Sequence, residues 1–150
     1  MSQRPSAMAL ALVQAEAAAA YGEVPVGAVL VDASGNVLAA AGNRVEQDHD
    51  PTAHAEMLVL RKGAARLGTA RLAGCDLWVT LEPCAMCAAA IALARIARLY
   101  FGAWDPKGGA VEHAPHLFDQ PTTHHRPEVY GGIGERQAAM LLRDFFRDRR

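Results

Sequence analysis

The sequence is short of several things that small domains lean on. It has three cysteines in 150 residues, Cys75, Cys84 and Cys87. An odd, small number is not a secreted disulfide framework; it fits a reducing cytoplasm, with the thiols free or on a metal. Aromatics are 6% of the chain, which excludes a bulky aromatic core. No apolar stretch is long enough to span a bilayer, so no membrane partner is expected. Charge of either sign is not in excess: the net charge is -1 and the pI about 6.6. That balance lacks the strongly basic signature of a broad, non-specific nucleic-acid binder. The chain is not composed like a disordered one either, with 21% charged and 51% hydrophobic residues.

What fills the gap is alanine, 31 residues of it. Small side chains suit close packing of helices. At this length residues 1–150 read as a single domain that can bury a core without a staple. The charge is also unevenly placed. Residues 1–60 carry Arg4 and Arg44 against seven acids, and the surplus of basic residues lies in 61–150, including Arg143, Arg147, Arg149 and Arg150.

Met8, Leu12, Ala15 and Ala19 recur at spacings of four and three, an amphipathic first helix rather than a cleaved leader, because Gln14 and Glu16 interrupt the apolar run. Val24–Val31 reads as a strand. Asp32-Ala33-Ser34-Gly35-Asn36 is turn chemistry, and Val37–Ala41 returns as the second strand of a hairpin. After a polar loop, Asp50-Pro51 is a helix start, and Gly68 ends that helix. Leu77–Leu81 is a strand, Pro83 opens an alanine-rich helix to about Ala94, and Leu99–Gly102 is another strand. Residues 103–130, with four prolines and four histidines, read mainly as loop, and a last helix spans about Glu135–Arg149. The order implies a mixed sheet covered by helices, a layered α/β domain with parallel pairing from residue 77 onward.

Two short motifs carry chemistry. Cys84-Ala85-Met86-Cys87 sets two thiols three apart at a helix start, where residues are neighbours and thiolates are favoured. His54-Ala55-Glu56 opens the preceding helix. One His and two Cys make three ligands for tetrahedral zinc, and the open fourth position marks a catalytic site rather than a structural one. A carboxylate beside a zinc-bound water can shuttle protons, and Glu56 is the candidate. Positions i and i+2 do not share a face in mid-helix, so His54 and Glu56 meet at one metal only if the site lies off the helix end. Cys75, a strand's length away from Cys84, is assigned to packing.

His54-Ala55-Glu56 with Pro83-Cys84-Ala85-Met86-Cys87 resembles the H-x-E…P-C-x-x-C signature of the zinc-dependent nucleobase deaminases. Within them, the chain is similar to the bacterial tRNA-specific adenosine deaminases. The matching blocks include Glu23–Val31, Asn43-Arg44, Asp50–Glu56, Val79–Cys84, Phe101–Lys107, His125-Arg126 and Asp144-Phe145-Phe146-Arg147. The resemblance implies a cytidine-deaminase-like fold, α/β with a three-layer mixed sheet of about five strands. It implies conversion of adenosine to inosine at the wobble position of a tRNA anticodon, with one zinc per subunit on His54, Cys84 and Cys87 and Glu56 as proton shuttle. Asn43 and the backbone near Ala55 and Cys84 would hold the flipped base, and Val26 would pack on it. Asp105, Phe145 and Arg149 would line the path of the anticodon loop. A cytoplasmic homodimer is implied, and Ala85, Ala88, Ala89 and Ala92 offer a close-packing face that serves either a partner or the chain's own core. The chain departs from the pattern at Trp104, where arginine is usual, at His124 and Pro127, and in residues 108–115. His49, His113 and His116 read as surface loop histidines.

Overall fold

The computed structural model describes residues 6–149. The first helix, α1 (Ala7–Ala20), is capped by Ser6, whose hydroxyl accepts from the Ala9 amide at 3.0 Å. Its inner face is Met8, Ala11, Leu12, Ala15 and Ala18. This face lies on a hairpin of β1 (Gly27–Val31) and β2 (Val37–Gly42). The approach is backbone to backbone. A Cβ on Gly27 would collide with the Ala11 carbonyl oxygen, and one on Gly42 would come within 2.6 Å of the Gln14 carbonyl oxygen. Gly27 and Gly42, bare of side chains, therefore let α1 settle directly onto the sheet. The hairpin turn is closed by Asp32, whose Oδ1 accepts from the Ser34 and Asn36 amides, each at 2.9 Å, while Gly35 takes φ +86°.

Three further strands, β3 (Asp76–Leu81), β4 (Arg98–Ala103) and β5 (Glu128–Tyr130), complete a sheet of order β2-β1-β3-β4-β5. β1 is antiparallel to both β2 and β3, whereas β3–β4 and β4–β5 are parallel. One face is covered by α2 (Ala55–Leu67) and α3 (Ala85–Leu93), which bury Leu30, Val59, Leu77, Val79, Ile91 and Phe101. The other face is covered by α1 and by α4 (Glu135–Arg147), over Met8, Leu12, Val29, Val31 and Ala138. This is the three-layer mixed sheet expected. No helix among the described residues is long and apolar enough to cross a membrane.

The structure differs from the sequence reading at several boundaries. Residues 24–26 are outside β1: Pro25 has no amide to give a ladder, and Val26 instead donates to the Val24 carbonyl at 2.8 Å. Asp50-Pro51 does not begin α2. Asp50 Oδ1 is occupied by the amide and hydroxyl of Thr52, at 2.9 and 2.8 Å, and the helix starts at Ala55 with His54 as its N-cap. β5 emerges from the segment read mainly as loop; three residues behind a proline are too few to show a period. α3 begins at Ala85, with Cys84 as N-cap. The close-packing face on α3 divides: Ala88 and Ala92 are buried in the chain's own core, whereas Ala85 is exposed.

Candidate active site

Two helix N-termini build the site. His54 stands just before α2 with extended backbone, φ -73° and ψ 149°, and Glu56 lies in the first turn behind it. The late start of α2 removes the i, i+2 obstacle, because His54 is not on the helix at all. Cys84 holds the equivalent place before α3, with φ -73° and ψ 175°, and Cys87 sits in the first turn. Cys84 and Cys87, three residues apart, share one side of the α3 N-terminus. β3 feeds α3 and the loop after β2 feeds α2, so the sheet brings both ends to one point.

The donors meet there. His54 Nδ1 lies 3.7 Å from Cys84 Sγ and 3.5 Å from Cys87 Sγ, and all three donor atoms fall within 4.8 Å of one another. Zinc with Zn–S near 2.3 Å and Zn–N near 2.0–2.1 Å has a tetrahedral S···N edge of about 3.6 Å. The residues present fit that ion without rearrangement.

The electrostatics are those of a metal-ready set. Cys84 is pulled down to about 4, chiefly by the hydrogen bond that Cys87 donates to it and further by His54, against a burial effect that opposes ionisation. Cys87 is pushed up by that same shared proton and by burial. His54 is raised by its hydrogen bond to Cys84, with burial opposing. Glu56 is buried, and desolvation pushes its carboxyl up to about 7; the Cys84 thiolate adds to the rise, while its own backbone amide and His54 work against it.

A cavity of about 510 Å³ opens over this group. Of the residues singled out from the sequence, Val26, Asn43, His54, Glu56, Cys84, Asp105, Phe145 and Arg149 all line it. Cys87, the third donor, is fully buried and does not line the cavity. Asn43 is oriented at both ends: its Nδ2 donates to the Val24 carbonyl at 3.2 Å, and its Oδ1 accepts from the Ala55 amide at 2.8 Å. The Ala55 amide is thus already engaged, and its role as placed is to hold Asn43. Arg149 lies over the Phe145 ring, 3.5 Å from its centroid.

Two residues the sequence reading passed over complete the walls. Glu23, 1% exposed, accepts from the amides of Glu46 and Gln47 at 3.1 and 2.9 Å. Glu82, 2% exposed, accepts from the amides of Asp105, Val111, Glu112 and His113. Burial acts to raise both carboxyls, but the donated hydrogen bonds win and hold both below the ordinary range. Each buried charge pins a loop that forms one rim of the cavity. A lone acid just before or just after an apolar strand gives no sequence signal of this. His113 is correspondingly not a free surface histidine: its Nδ1 lies 2.8 Å from Glu82 Oε1. Cys75 is buried in the core, as expected for packing.

The fold and the site together are those of a zinc-dependent deaminase. The family model for the cytidine and deoxycytidylate deaminase zinc-binding region matches residues 1–103, a span holding Glu56 and all three donors. A tRNA-specific adenosine deaminase of Agrobacterium fabrum is 56% identical over 150 residues, covering 100% of this chain and 98% of that protein. A solved structure from studies of A-to-I editing by tRNA:A34 deaminases at the wobble position of transfer RNA superposes with TM-score 0.89 at 57% identity, over 91% of this chain and 98% of that one. Guanine deaminase from Nitrosomonas europaea is further off, with TM-score 0.76 at 25% identity over 97% of this chain and 85% of that one. The chain belongs to the tRNA-specific adenosine deaminase family.

Proposed function

We propose that the protein hydrolyses adenosine to inosine and ammonia at the wobble position of a tRNA anticodon, as a cytoplasmic homodimer of one catalytic domain spanning residues 1–150. The carrying observation is the buried Glu56 beside three convergent metal donors, at the floor of a cavity of about 510 Å³. Zinc bound there would supply a water of pKa about 7, readily deprotonated at neutral pH, and a positive charge that favours the carboxylate form of Glu56. His54, Cys84 and Cys87 would hold that ion. Glu56 takes a proton from the attacking water and delivers it to the purine ring nitrogen as the water oxygen bonds the amino-bearing carbon. It then passes the remaining hydroxyl proton to the amine nitrogen, and the C–N bond breaks to release ammonia. Burial raises the Glu56 carboxyl while the ion's charge would lower it, and a group balanced between the two can both accept and give a proton. Val26 packs on the base, and Asn43, fixed by Val24 and Ala55, reads its edge. Asp105, Phe145 and Arg149 lead the anticodon loop in. A base inside this cavity has left its stack, as deaminase chemistry requires.

The test is incubation of the zinc-loaded protein with a tRNA bearing adenosine at the wobble position, followed by inosine detection at that site. Inosine from the wild type and none from Glu56→Ala is expected. Adenosine left intact by the wild type refutes the proposal.

A further inference from the structure

A second cavity, of about 760 Å³, opens beside the catalytic one. Val24, Leu81, Asp105 and Arg149 belong to both walls, so the two are continuous. The second is bounded further by Trp104, Lys107, Leu142 and Phe146. Trp104 is 41% exposed and Phe146 51%, two large aromatics on one open patch.

Both rings are set in place. Trp104 meets Phe101 edge to face, with centroids 5.8 Å apart and planes at 89°. Its six-membered ring also covers Gly132, where φ is +83° and a Cβ would lie 2.7 Å from the indole Cη2. Phe146 meets Phe145 edge to face at 5.3 Å, and Phe145 is itself covered by the Arg149 guanidinium. Asp105, the acid on this wall, turns its Oδ1 to the amides of Lys107 and Gly108, at 3.2 and 3.0 Å. What faces the cavity is thus a pair of rings flanked by the cations of Lys107 and Arg149. Rings beside cations are the chemistry of single-stranded nucleic acid: stacking for bases, positive charge for phosphates.

The continuity supplies the reason for such a surface. A nucleotide drawn into the catalytic cavity leaves its neighbour without a stacking partner. We propose that Trp104 and Phe146 form a stacking subsite for the nucleobase adjoining the target adenosine, replacing the stack that the flipped base gives up. This rests on the RNA-deaminase reading above. Because every base has a ring face, the subsite gains affinity without reading sequence.

The test compares anticodon stem-loops that carry a base or an abasic sugar at each position flanking the target. On the intact RNA, Trp104→Ala raises KM by about tenfold, as loss of one stacked base implies. Trp104→Phe recovers most of it. With an abasic sugar at the stacked flank, wild type and Trp104→Ala have the same KM. Should Trp104→Ala disturb the fold by thermal unfolding, Phe146→Ala carries the same comparison. An unchanged KM in the alanine variants overturns the subsite. So does a loss that persists with either flank abasic, or one that tracks subunit dissociation by mass, which would give the patch to a second copy. If the wild type forms no inosine on the intact RNA, the activity fails and the subsite falls with it; if the wild type is active and the variants match it, the subsite alone fails.

Discussion

Glu82 is the perturbation with the most to say about how the cavity is held open. Its side chain is 0% exposed, yet it is held in the charged form. Oε1 accepts from the Asp105 amide at 3.0 Å and pairs with His113 Nδ1 at 2.8 Å. Oε2 accepts from the amides of Val111, Glu112 and His113 at 3.2, 2.9 and 3.2 Å. Glu82→Ala leaves these donors without a partner. Hydrogen bonds to a charge are worth about 1.5–3 kcal/mol each, but they are not additive, and the exposed loop can relax and admit water. The net cost is therefore about 3–5 kcal/mol, the range for removing one partner of a buried charge. That is a large part of the roughly 5–15 kcal/mol that holds a domain together. Glu82→Gln keeps the shape and one acceptor and costs about 2 kcal/mol. Urea unfolding at constant m measures both. The pH dependence has a definite sign. The folded carboxyl lies below its ordinary 4.5, so its contribution is complete above that value and is lost as pH falls through the folded one. The gap between wild type and Glu82→Gln is accordingly constant at neutral pH and closes in acid. An alanine variant within about 0.5 kcal/mol of wild type, the scale of an ordinary surface change, refutes the reasoning, as does a gap that widens in acid.

Other expectations follow from the same geometry. Cys87→Ala and His54→Ala each remove a metal donor, so zinc per chain measured by elemental analysis falls toward zero; chelation of the wild type abolishes activity and added zinc restores it. Glu56→Gln retains zinc and lowers kcat by about 10²–10⁴-fold, the span of a lost general acid–base; undiminished turnover removes Glu56 from the chemistry. Gly27→Ala drives a methyl into the Ala11 carbonyl and costs about 3 kcal/mol by urea unfolding; a neutral result means α1 lies further from the sheet. RNA affinity falls as salt rises because cations release counterions from the backbone; a salt-independent binding constant contradicts a phosphate path past Lys107 and Arg149.

The metal set and its glutamate were legible because each motif is local: four donor or acid positions in two short segments, each at a helix start. The layer order was legible because the strands of the inner sheet are apolar runs bounded by turn residues. The start of α2 was not, since Asp50-Pro51 is good capping chemistry that Thr52 captures for a tight turn instead. β5 was not, since its pairing with β4 comes from the sheet edge rather than from any pattern of its own. Glu23 and Glu82 were not, since a single acid carries no sign that folded loops will surround it with amides. Trp104 reads in sequence only as a departure; its place beside Phe146 depends on how α4 crosses the end of β4. The near-neutral charge, too, excludes only a broadly basic surface and is compatible with Lys107 and Arg149 gathered at one cavity mouth.

The most direct measurement is a competition. The zinc-loaded protein is given an anticodon stem-loop with adenosine at the wobble position, together with free guanine and cytidine, and the products are followed over time. Inosine at the wobble position, with both small molecules unchanged, is the expected result. Ammonia released from guanine or cytidine while the RNA stays intact contradicts the account.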